Sequence, residues 1–197
     1  MSLHSGALMV RANVIADIGS VFETFNYRPL RSEVVSGWNR AMAALAYPRP
    51  DAPREHVHKA VVWHSGWTVV LDPEMVMATE EAACTALARK AGAPVFTMLC
   101  EGTSGSYAFS LYDPELKRAY FVVDGEVHDD RGVPIPEEKD LRMEALFEDD
   151  VLLIMERHGV RYQSLETLDA FTIWTLDESH LAPAPSSEGT PVAKKPW

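Results

Sequence analysis

The pair His56-Val57-His58, with His64 a little further along, is the densest group of side chains able to hold a metal or move a proton. In an extended strand these three positions share one face. At the rise of a strand, His56 and His58 lie roughly 6.6 Å apart and can share a metal ion. His64 would then lie roughly 20 Å from His58 and cannot join them along an unbroken strand. A zinc site needs further ligands from elsewhere in the chain. The plainer reading makes these three edge or surface histidines.

Other clusters fit known chemistry less well. Asp124-Gly125-Glu126-Val127-His128-Asp129-Asp130 is dense in oxygen ligands but lacks the acid spacing, central Gly and terminal Glu of a calcium-binding hand. It reads as a hydrated loop. Glu101-Gly102-Thr103-Ser104-Gly105-Ser106 is rich in small residues, yet it matches neither a phosphate loop nor a nucleophile elbow. It reads as a turn between strands. Ser104, His64 and Asp113 offer the residue types of a hydrolase triad, as almost any chain of this length does. No cofactor motif is present, and no cofactor is expected.

Charge is the more distinctive property. The 197 residues carry a formal net charge of −11. Residues 101–150 hold fourteen acids and five bases, a local net of −9, while residues 1–100 balance to zero. A nucleic-acid partner calls for clustered Lys and Arg, so that class is not expected. A basic protein partner suits the charge, and the residues expected to meet it are Asp124, Glu126, Asp129, Asp130, Glu137 and Glu138. The plainer reading is a solvated acidic surface that aids solubility. No apolar run approaches the roughly 20 residues of a membrane helix, and no secretory signal is expected. Two cysteines, Cys84 and Cys100, read as small buried hydrophobes in a reducing, cytoplasmic setting.

Elements that must position these residues follow from periodicity. Ala7–Ile15 fits a first strand and Asp17–Asn26 an irregular stretch. Leu30, Val34, Trp38, Met42 and Leu45 lie on one helical stripe, so a helix is expected over Leu30–Ala46. Pro48, Pro50 and Pro53 then make a stiff linker. Lys59–Trp63 and Trp67–Leu71 form a hairpin around His64-Ser65-Gly66. Thr79 starts a helix that runs to Ala91 and stops at Gly92. Pro94–Cys100, Ser106–Tyr112 and Arg118–Val123 are three consecutive strands. Tyr107, Phe109 and Leu111 on one face of the second give the period of two. Gly125–Asp140 reads as an exposed loop, Phe147–His158 as a helix with an acidic start and basic end, and Ala170–Leu176 as a last strand.

Neighbouring strands favour an α+β fold, a mostly antiparallel sheet with helices packed on one face. Trp63, Trp67, Phe96, Phe109 and Phe121 would join its core. The expected organisation is a single domain over residues 1–181 and a Pro-rich disordered tail over 182–197.

Three segments taken together resemble a known type of protein. They are Trp67-Thr68-Val69-Val70-Leu71-Asp72-Pro73, the strand Ser106–Tyr112 with its preceding Ser104-Gly105, and Gly132-Val133-Pro134-Ile135-Pro136-Glu137-Glu138. The series is similar to uncharacterised, immunity-like bacterial α+β proteins, over about residues 57–158. The resemblance implies a single-domain protein that binds another protein, and it carries no catalytic motif. The expectation is therefore a non-catalytic, toxin-antagonist-like binding module of the bacterial cytoplasm, as a monomer or homodimer. The alternative is a small enzyme, such as a metal-dependent hydrolase, with a His–carboxylate site near the hairpin ends.

Overall fold

A computed structural model of the chain describes residues 4–46 and 56–178; the expected proline linker and the 182–197 tail lie outside them. Nine strands are present among the described residues: β1 (His4–Val10), β2 (Arg28–Ser36), β3 (His56–His64), β4 (Trp67–Asp72), β5 (Val95–Glu101), β6 (Ser106–Tyr112), β7 (Leu116–Val123), β8 (Glu126–Gly132) and β9 (Ala170–Asp177). They form one sheet in the order β2-β9-β3-β4-β1-β5-β6-β7-β8. Every neighbouring pair is antiparallel. The antiparallel α+β fold expected from the sequence is present.

The helices cover both sheet faces rather than one. β1 sends Ala7 and Met9 to one side and Leu8 and Val10 to the other, and all four are fully buried. A strand apolar at both parities needs cover on both faces. α2 (Trp38–Leu45), α4 (Glu148–Arg157) and α5 (Tyr162–Leu165) pack over Met9, Val69 and Ile173. α1 (Ile18–Thr24) and α3 (Glu81–Ala91) pack over Leu8, Val10 and Val70. α3 ends as expected, with Gly92 left-handed at φ +59°. Thr79 does not cap it; its hydroxyl donates to the Val76 carbonyl at 2.8 Å in the preceding turn.

Several further expectations are corrected. The helical stripe from Leu30 to Ala46 divides into β2 and α2, with Gly37 at φ +78° between them. Spacing of four residues fits a helix, but β9 supplies a backbone ladder for Arg28–Ser36, and Val34 is left 73% exposed. The stretch taken as irregular holds α1, and the acidic loop begins with β8, a regular partner of β7. Trp63 lies at the exposed end of β3 and is not core, and Phe121 is only half-buried. Cys84 and Cys100 are free and buried, and burial pushes both thiols up to about 12.

A cluster of charged groups lies inside this fold around Lys59. Lys59 of β3 is wholly buried and pairs with Asp72 at the end of β4 and with Glu74 beyond it. Its ammonium also lies 5.4 Å from the Tyr27 ring centre. Asp72 accepts the Met77 N–H at 2.7 Å with its other oxygen. Burial alone lowers the ammonium's pKa; the two carboxylates more than reverse this, so Lys59 stays charged.

Candidate functional site

The acidic segment folds as a hairpin. Asp124 and Gly125, at φ +48° and +79°, form the two-residue turn between β7 and β8, the geometry that matches strand twist. Asp124 and Glu126 are exposed at its tip. The ladder skips His128, which places Val127 opposite Val122 on one face and Asp129 opposite Phe121 on the other.

Much of the acid set is engaged within the molecule. Arg118 of β7 is buried, and its Nε and Nη2 donate to the two Glu138 oxygens at 2.7 and 3.0 Å. Its Nη1 pairs with Asp130 and donates to the Arg131 carbonyl at 3.1 Å. Glu138 also accepts the Ile135 N–H at 2.9 Å, so this buried carboxylate holds the loop rather than a partner. Asp129 accepts two bonds from Arg131 Nε, at 2.8 and 2.9 Å, and Arg131 Nη2 reaches Glu81 of α3 at 2.8 Å. Glu137 sits 3.6 Å from His158 Nδ1. Burial holds that imidazole below its ordinary pKa, outweighing Glu137, and the ring is neutral at pH 7. Asp124 and Glu126 have no ion pair among the described residues.

The hairpin tip adjoins an apolar row. Val127, Val122 and Tyr107 are consecutive cross-strand partners on β8, β7 and β6. The Tyr107 ring meets Phe147 at 6.1 Å between centres, at a steep 66° angle. Phe147 is 57% exposed and Val127 45% exposed. Phe147 precedes α4, where Asp150 accepts its N–H at 3.0 Å and holds the backbone in place. Acids frame this row. Glu148 and Asp149 follow Phe147, and Asp124 donates its N–H to the Gly105 carbonyl at 3.1 Å. Glu101 lies at the neighbouring turn, accepting the Thr103 and Ser104 N–H groups at 3.1 and 2.7 Å. The Ser104 bonds above all hold its carboxyl down to about 2. Phe147 escapes sequence reasoning, which places it inside the α4 pattern; its position just before an acidic first turn is the only hint that it stands out.

On the opposite sheet face lies a cavity of about 300 Å³. Thr97, Ala108, Ser110, Ala119 and Phe121 line its floor, with Arg131 at the edge. Its lining holds neither histidine nor cysteine. The histidines lie elsewhere. His56 and His58 share a face of β3, as expected; His58 is buried, its Nδ1 3.3 Å from the Thr175 hydroxyl. His64 pairs instead with the Ser164 hydroxyl at 2.8 Å, and Ser104 with the Ser106 hydroxyl at 2.7 Å. Among the described residues no three His, Cys, Asp or Glu side chains gather as metal ligands, and no helix is long and apolar enough to cross a membrane. No family model, curated protein or solved structure matches the chain.

Proposed function

We propose that this protein is a non-catalytic binding module whose Phe147–Tyr107–Val127 row, rimmed by Asp124, Glu126, Glu148 and Asp149, docks a basic protein in the manner of a toxin antagonist. The observation that carries this reading is the exposed Phe147 on an otherwise acidic end of the sheet. Protein interfaces combine such an apolar centre with a charged rim. The centre supplies most of the affinity. The rim speeds association with a partner of opposite charge and makes it salt-dependent. The acid set is smaller than the sequence implies, because Asp129, Asp130 and Glu138 are held by Arg118 and Arg131.

The test is affinity for basic proteins encoded by neighbouring genes, measured at low and high salt. A Asp124→Asn, Glu126→Gln, Asp149→Asn variant should associate more slowly and lose much of the salt dependence. A partner that binds the variant at an unchanged rate with unchanged salt dependence would remove this reading.

A further inference from the structure

β2 is one of the two outer strands of the sheet, and among the described residues only β9 pairs with it. Its residues from Leu30 to Val34 are all exposed. An outer strand of this length offers a row of backbone donors and acceptors to another strand. Its charges are arranged in a particular way. Arg31 and Glu33 lie opposite Thr175 and Ile173 of β9, on the face where α2 packs, and Ser32 stands between them on the other face.

We infer that a second copy of this chain pairs antiparallel with β2 about a twofold axis at Ser32. A twofold axis normal to the sheet keeps each side chain on its own face. Residues that meet across the axis must therefore share a face, which limits the choice of centre. Centring on Glu33 sets that carboxylate against its own copy. Centring on Val34 leaves the charges unmatched. Centring on Ser32 sets Arg31 opposite Glu33 twice, once on each side of the axis. Opposite charges facing across strands stabilise the pairing, and like charges oppose it. Among the described residues Arg31 has only a distant internal contact, Nε to the Thr175 hydroxyl at 3.5 Å, so its guanidinium can turn outward.

The other outer strand is built differently. β8 carries Glu126, Asp129 and Asp130 against Arg131 alone, skips a residue of its ladder at His128, and commits Asp129, Asp130 and Arg131 to internal pairs. Acids without matching bases discourage edge pairing. β2 also shifts register, between Pro29 and Arg31, but its ladder is regular from Arg31 to Ser36, the stretch that holds Arg31, Ser32 and Glu33. β2 and β8 are at opposite ends of the sheet, roughly 38 Å apart at the usual strand spacing. A dimer through β2 leaves both acidic ends open.

Sedimentation of the full chain across a concentration series tests the pairing, with circular dichroism melts to show that each variant is folded. The wild type should pass from monomer to dimer within about 1 to 500 µM, by mass action. Arg31→Glu should weaken the dimer roughly tenfold or more, since it faces two carboxylates with carboxylates. Glu33→Arg should do the same. The doubly exchanged chain, Arg31→Glu with Glu33→Arg, restores both pairs and should dimerise like the wild type. A chain that stays monomeric at every concentration overturns the inference. So does a dimer that single reversals leave intact, or one that the double exchange fails to restore.

Discussion

Arg118 and Glu138 meet through two parallel hydrogen bonds, both side chains withdrawn from solvent, and this pair ties the loop after β8 to the first half of β7. Removing one partner of a buried ion pair strands the other charge. Glu138→Ala leaves Arg118 with only the half-exposed Asp130 and the Arg131 carbonyl, and should cost up to about 3–5 kcal/mol of folding stability. Glu126→Gln, at the hairpin tip, should change stability by less than about 0.5 kcal/mol. Urea denaturation of the two variants checks this. Similar midpoints for both would show that Glu138 is not the anchor its geometry describes.

Lys59 makes the same argument inside the opposite face. Lys59→Met leaves the buried Asp72 and the partly buried Glu74 without a cation, and should cost about 3–5 kcal/mol at pH 7. Adding Asp72→Asn and Glu74→Gln removes the stranded charges. The triple variant should then be more stable than Lys59→Met alone, because the members of one network do not act additively. Chemical denaturation of wild type, single and triple variants measures the recovery; a triple variant that unfolds more easily than Lys59→Met would contradict it.

His158 predicts a pH dependence. Its ring packs 4.7 Å from the Phe96 ring and 6.1 Å from that of Trp67, and burial lowers its pKa. A base with a depressed folded pKa is protonated in the unfolded chain first. Its contribution is present above the ordinary histidine value of about 6.5 and is lost as pH falls through the folded pKa. Urea midpoints between about pH 5 and pH 8 should thus decline on the acid side. His158→Gln should decline less over the same range. Parallel curves for the two proteins would show that His158 does not titrate in this way.

Legibility in the sequence followed the range of the forces involved. β6 alternates with a period of two, β5 and β7 are short apolar runs beside it, and Gly- and Pro-containing turns separate the three, so local pattern suffices to place them. α3 and α4 are bounded by acids at the start and a Gly at the stop, which are also local signals. β2 was not legible because its apolar residues fit a helical stripe equally well, and the deciding partner, β9, lies over a hundred residues away. The acid-rich segment showed its charge in the sequence. Which acids are free depends on Arg118 and Arg131 folding back upon them, and spacing carries no trace of that. Phe147 was hidden for a related reason. An aromatic beside an amphipathic helix reads as core, and only the fold shows it standing beside Tyr107 at the surface.

In the proposed complex Phe147 is the anchor that a protein partner buries. The most direct test is the affinity of Phe147→Ala for a basic protein that binds the wild type, measured by calorimetric titration. A central aromatic anchor is worth about 2 kcal/mol or more, so affinity should fall roughly thirtyfold at both low and high salt. Because the side chain is more than half exposed, the melting temperature should scarcely change. Undiminished affinity in a folded Phe147→Ala protein would contradict the claim.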